Sequence, residues 1–202
     1  MDLSIKDGSG AGYSAKVDSG YRLHTDAVQR TQSQQAILRG DGFNLSTGAI
    51  TLTTAGQSAV FYLKNDGDTP LVIKEIGIRL GTSTGGTGSA VISVTANPTA
   101  GTIISNALAL ATSFNRNLGS SKAIVGDAYK GATGYTLTGG VSAGVTSTSS
   151  FQDAILFDAD IFVLPKGTSV GILVTPQTGN TSQSCVVFAT AFYEPAALTQ
   201  GV

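Results

Sequence analysis

The chain has 202 residues, with 12 Lys and Arg against 13 Asp and Glu and a net charge of −1. Charged residues make up only 12% of it, about half the roughly 25% of ordinary soluble domains, and Gly, Ser and Thr stand in their place. Such a balance gives no footing for a nucleic-acid binder, which needs clustered positive charge to displace counterions from phosphate, and none for electrostatic attraction to a membrane.

Residues 1–40 differ in composition from the rest of the chain. Large apolar residues are sparse there (Leu3, Ile5, Tyr13, Val17, Tyr21, Leu23, Val28), and the segment runs into the polar stretch Gln29–Gln35. No basic n-region or apolar h-region opens it, and no stretch approaches the roughly 20 apolar residues of a membrane span. Within it only YRLHTDAV alternates as a strand would, with Tyr21, Leu23 and Thr25 against Arg22, His24 and Asp26. A segment that buries little of its own surface takes its order from a neighbour, so residues 1–40 are expected to form an extended arm.

From Gly42 the pattern becomes strands punctuated by turns, and residues 41–202 are expected to form one β-sandwich domain. AITLTTAG alternates Ile50 and Leu52 with threonines, while SAVFYLKN is apolar on both faces, as a strand covered on two sides would be. The turn signal NDGDTP comes next. In PLVIKEIGIRLG the alternation slips at Lys74–Glu75, and a bulge there would restore a continuous buried face. The run from Ile78 to Ser105 reads as strand, glycine-rich spacer, strand, turn and strand, with no charge after Arg79. NALALATS is compatible with either a short helix or a strand. In DAILFDADIFVLP, Ile155, Phe157, Ala159, Ile161 and Val163 share one phase, and Asp158 and Asp160 the other. Pro165 and Gly167 then suit a type I turn, and VGILV returns with Val170, Ile172 and Val174 inward. CVVFATAFYE is apolar on both phases and suits a central strand. About eight to ten short strands with this turn spacing predict an all-β fold, a jelly-roll-like sandwich preceded by the arm.

Residues able to do chemistry are few. His24 is the sole histidine and has no nucleophile beside it in sequence. Cys185, the sole cysteine, permits no intrachain disulfide or CxxC knuckle and reads as a small buried hydrophobe. These features are those of a protein made in a reducing cytosol and kept there until assembly. The segment Gly81–Ser89 lacks the Lys and the helix of a phosphate-binding loop and reads as a flexible strand connection. Asn65, Asp66 and Asp68, or Asp158 with Asp160, could offer oxygens to Ca²⁺, but neither set is complete, and Asx turns explain the first equally well. Paired carboxylates for glycoside cleavage would want aromatic platforms, and the chain has no Trp. A carbohydrate-binding module would have to rely on Tyr129 and Tyr135. No catalytic, cofactor-binding or metal-binding residue is assigned, and a non-enzymatic protein is expected.

The opening DGSGAGYSAKVDSGYRLHTDAV resembles the N-terminal arm of a group of tailed-bacteriophage virion proteins. The stretch from GDGFNLSTGAITLT to GTIISNA, with NRNLGSSK and DAYKGATG after it, is similar to the sandwich body of the same group. The resemblance runs from about Asp7 to the last strand and rests on turns and strands, so it carries over no functional residues. It implies a structural component of the virion, assembled in the host cytoplasm: a capsid decoration or cement protein, or a tail, neck or fibre component. Its implied partners are the major capsid protein or other virion proteins and further copies of itself, a trimer being preferred, with no cofactor, nucleic acid or membrane.

Overall fold

In a computed structural model the described residues are 30–105, 112–148 and 153–194, with the backbone alone described at 112 and 153–161. The sandwich unit begins at Gln32. Its elements are α1 (Gln32–Arg39), β1 (Gly42–Ser46), β2 (Ile50–Leu52), β3 (Ser58–Lys64), β4 (Leu71–Thr84), β5 (Ala90–Ala96), α2 (Thr102–Ser105), β6 (Thr112–Asn115), β7 (Ala128–Lys130), β8 (Val141–Thr148), β9 (Asp153–Leu164), β10 (Ser169–Thr175) and β11 (Ser182–Tyr193).

The strands form two antiparallel sheets, ordered β6-β1-β11-β4-β9, with β2 also on β11, and β7-β3-β10-β5-β8. The pairings β1 with β11, β3 with β10, β4 with β9 and β5 with β8 match early strands to late ones in reverse order. This is a long antiparallel ribbon wound over on itself, the strand order of a jelly roll. The first and last strands of the ribbon are therefore neighbours, and β11 is central, as its two apolar phases require.

Between the sheets lies a continuous core that includes Leu45, Leu52, Phe61, Leu63, Ile73, Ile76, Ile78, Ile92, Ile172, Val174 and Val187. Alternation in the sequence delivers most of it. Ile50 and Leu52 are buried around exposed Thr51, and Val170, Ile172 and Val174 are fully buried. The slip in β4 is a bulge: Thr190 pairs with Glu75 but Ala191 with Ile73, which leaves Lys74 as the extra residue. Leu71 and Ile73 before it, and Ile76, Ile78 and Leu80 after it, all reach the core.

Four expectations are corrected. First, most of the anticipated arm lies outside the described residues, but its end is not extended. Gln32–Arg39 is a helix whose Ala36 is buried against Val72 and Phe192 on the outer face of the larger sheet. Gly40, at φ 76°, ends it as only a residue without a Cβ readily can; its N–H donates to Ile37 O (3.0 Å) and the Asp41 N–H to Ala36 O (2.8 Å). Second, β9 does not keep one phase. Its register against β4 shifts twice, between Ile73 and Glu75 and between Ile76 and Gly77. By its end Leu164 is buried and Phe162 packs on the core, while Val163 is 50% exposed. Third, the turn after β9 is of type II: Thr168 N–H donates to Pro165 O (3.1 Å), but Gly167 has φ 79°, a positive value that type I does not use. The third strand anticipated at the end of the Ile78–Ser105 run is instead the short helix α2, and residues 106–111 of NALALATS lie outside the described residues.

Candidate functional site

The residues flagged as possible donors of chemistry are dispersed. His24 lies outside the described residues, and so do the side chains of Asp158 and Asp160. Cys185 sits in the core opposite Ile50 and Leu80, 1% exposed, and burial pushes its thiol up to about 12. At neutral pH it carries almost no thiolate and is inert.

Asn65, Asp66 and Asp68 form a turn. Asn65 is fully buried; its amide N–H groups donate to Thr69 O (2.9 Å) and Leu164 O (2.8 Å), and its Oδ1 accepts from Gly67 N–H (3.0 Å). This is an Asx turn bolted to the end of β9. The two aspartates face outward onto lysines, Asp66 to Lys64 at 2.7 Å and Asp68 to Lys166 at 2.6 Å. The hydrogen bond to Asp66 raises the Lys64 pKa, and that from Lys166 lowers the Asp68 pKa. Both pairs are well solvated, so neither adds much stability. No group of three or more His, Cys, Asp or Glu is gathered among the described residues.

The glycine-rich segment is pinned by side chains. β4 continues through Thr84. Beyond it Gln177 Nε2 donates to Gly88 O (2.6 Å), and within it Gln183 Nε2 donates to Gly81 O (3.1 Å). Ser83 Oγ donates to Asn180 Oδ1 (2.6 Å), whose Nδ2 reaches Leu52 O (3.0 Å). Buried amides thus satisfy backbone groups that the sheets leave free.

Tyr129 and Tyr135 are half-buried and do not stand out as platforms. Both pack, with Ile104, on a second apolar cluster of Ala59, Tyr62, Ile103, Leu137 and Leu173, outside the smaller sheet. Tyr129 stacks on Tyr62 (6.1 Å, 13°) and donates to Asp127 Oδ1 (2.8 Å), a bond that raises its pKa.

A cleft of about 380 Å³ opens where the start of β1, the β3–β4 turn and residues 122–125 converge. Phe43 and Tyr193 form its floor in an edge-to-face contact (5.8 Å, 82°). The Tyr193 hydroxyl accepts from Val125 N–H (2.8 Å) and donates to Val125 O (3.3 Å), and burial raises its pKa. Lys122 closes one side on Asp41 at 2.7 Å. Among the described residues the carboxylates that line the cleft are paired, Asp41 with Lys122 and Asp68 with Lys166. Sequence reasoning did not find this cleft, because it is assembled from positions 41 to 193 that only the wound ribbon brings together.

Several large apolar side chains are open to solvent. Leu38, Phe114, Leu118, Val125, Val141, Val145 and Val163 are each half or more exposed. Leu38 and the β6 end are tied together by Asn117 Nδ2 donating to Leu38 O (3.0 Å). No helix among the described residues is long and apolar enough to cross a membrane. Comparison with protein-family models, with curated proteins and with solved structures returned no match to this chain.

Proposed function

We propose that this protein is a non-enzymatic structural component of a bacteriophage virion, a decoration or cement protein that docks on the head lattice as a homo-oligomer and meets the major capsid protein. The observation that carries this reading is the surface: a chain with 12% charged residues leaves Leu38, Phe114 and Leu118 exposed near one another on a rigid two-sheet body. Exposed apolar side chains on a low-charge background suit contact with another protein surface. Many copies on one shell turn weak contacts into firm attachment by multivalency. The polar segment that precedes α1 gives each copy a second means of reaching a neighbour.

The test is location and copy number. Particles of the encoding phage, purified and labelled at the C-terminal ALTQGV, are imaged, and the protein is quantified against the major capsid protein. Hundreds of copies spread over the head support decoration. A few to a few dozen copies at one vertex or on the tail overturn it in favour of a tail or neck component, and absence from particles overturns the virion reading altogether.

A further inference from the structure

The turn that follows β6 is bonded to itself and to its neighbours. Asn117 N–H donates to Asn115 Oδ1 (2.9 Å), Gly119 N–H to Asn117 Oδ1 (3.1 Å) and Ser120 N–H to Asn117 O (2.9 Å), two Asx turns in succession. Asn115 Nδ2 anchors it on Gly40 O (2.7 Å) and Asn117 Nδ2 on Leu38 O (3.0 Å). At its tip stands Leu118, 82% exposed, the most exposed large apolar side chain among the described residues. Arg116 beside it is exposed and has no ion pair among them. The backbone bonds hold this leucine out as a knob, so its ordering cost is met before any partner arrives.

The cleft over Phe43 and Tyr193 lies at the same end of the sandwich, where β1 begins and β3 and β6 finish. We propose that two copies of this chain associate about a two-fold axis by exchanging these features, Leu118 of each entering the cleft of the other. The apolar parts match: the cleft offers two aromatic rings and Val125, itself 56% exposed, and its roughly 380 Å³ holds a leucine with room for the stem of Arg116. The charges match as well. Asp68 gives one oxygen to Lys166, but its side chain is 91% exposed and its second oxygen is open to a guanidinium. Glu194, next in the chain to Tyr193, is exposed and has no ion pair among the described residues.

The placement of the two features selects a second copy as the occupant. Asn115 Nδ2 also donates to Lys122 O (2.9 Å), which draws the base of the knob against the wall of the cleft. Leu118 and Lys122 are separated by at most about 14 Å of chain. A patch that carries both halves of a contact is complementary to itself, which is the condition for a two-fold interface. A foreign partner would use the knob or the cleft and leave the other bare, whereas a second copy covers both. The contact is small and falls in the weak class, with a dissociation constant of about 1 μM to 1 mM. The inference goes beyond the virion reading and is indifferent to whether the protein is found on particles.

Sedimentation of the full chain from about 1 μM to about 1 mM spans that range. A reversible monomer–dimer equilibrium is expected, weakened about tenfold or more by Leu118→Asp, which sets a carboxylate against an apolar floor and an acidic rim. Val125→Arg, which fills the cleft, should weaken it by a similar factor. Both side chains are exposed, so both variants should fold, and circular dichroism checks that they do. Leu118→Cys and Val125→Cys, prepared separately and mixed, should be joined to each other by a short thiol cross-linker faster than either is joined to itself. Cys185 is buried and does not compete. Should Leu118→Asp not fold, the cross-linking decides alone. A monomer throughout with no cross-linked product overturns the proposal. A trimer overturns it too, and so does a dimer that a folded Leu118→Asp leaves unchanged, or Leu118→Cys joining to itself as fast as to Val125→Cys.

Discussion

On the β6/β7 side of the sandwich, the chain between β5 and β8 wraps the rim of both sheets. It adds β6 to β1 and β7 to β3. After β7, residues 131–135 run on along β3 and reach the end of β2. Gly131 N–H donates to Val60 O (3.0 Å) and Ala59 N–H to Tyr135 O (2.7 Å). The Thr133 hydroxyl accepts from Thr53 N–H (2.9 Å) and donates to Thr51 O (3.0 Å) along the edge of β2. On the β8/β9 side no described segment lies across the rim in this way. One side spends a long connection on satisfying its backbone; the other leaves two long strands at the margin. Stability is expected to be more sensitive along the first side than along the second.

The largest expected effect is on thiol reactivity. Cys185 lies in the core on β11, flanked by β2 and β4, and the push of its pKa to about 12, against an ordinary 9.0, leaves about a thousandfold less thiolate at pH 8. Dilute native Val145→Cys should therefore modify at its open-edge thiol about a thousand times faster than at Cys185, read by mass spectrometry of the modified peptides. The same shift has a pH consequence. A thiol whose folded pKa is raised stabilises the fold below its unfolded value and loses that contribution as pH climbs from about 9 to about 12. Base-induced unfolding should accordingly begin in that window and move to higher pH in Cys185→Ala. Comparable labelling rates at the two positions would mean that β2 opens readily and that the closed side is closed in name only.

A substitution within residues 131–135 comes next. Gly131 is buried, and a Cβ there would overlap the Ala59 carbonyl oxygen, with Ile103 Cδ1 at 3.2 Å on its other flank. Backbone cannot swing aside as a side-chain tip can, so Gly131→Ala should cost about 3 kcal/mol, seen as a lowered denaturation midpoint with an unchanged slope. An effect below about 1 kcal/mol would show that the connection is only loosely laid on the rim.

How much of this is legible in the sequence depends on the kind of signal each feature leaves. Alternation names the inward residues of β2, β4 and β10 directly, because one face of each meets the core, and the slip at Lys74 locates a bulge without any knowledge of the partner strand. The phase of β9 misleads for the converse reason: Val163 continues the pattern of Ile155 in sequence, but two register shifts lie between them, and no glycine, proline or break in the alternation marks them. The helix α1 does carry a signature, Thr31-x-x-Gln34 at its start and Gly40 at its end, overshadowed by the polar composition around it. Its apolar residues, Ala36, Ile37 and Leu38, stand in one short run after four polar ones, too few to announce a helix by spacing. The cleft and the closed rim leave no trace because their residues come from distant positions, and the pairing of β1 with β11 is what brings Asp41 and Tyr193 together. The open edge, by contrast, is half visible: the absence of charge in VSAGVTST is a sequence fact, and only its position at the margin needs the fold.

The smallest effects give the cleanest comparison, a matched pair of hydroxyl exchanges on the two sides. Thr133→Val removes a hydroxyl that serves as donor and acceptor to β2 while keeping the shape of the side chain. Thr53 N–H and Thr51 O are exposed enough for water to replace part of the loss, so the cost should be about 1 kcal/mol. Val145→Thr makes the reverse exchange on β8, at a side chain 65% exposed with a β-branched residue retained, and monomer stability should change by less than about 0.5 kcal/mol. Chemical denaturation of the two variants under the same conditions reads both on one scale. Equal costs would erase the distinction between the rims. A cost at Val145 larger than at Thr133 would reverse it, because an open edge whose side chains matter to the monomer must be packed against part of its own chain.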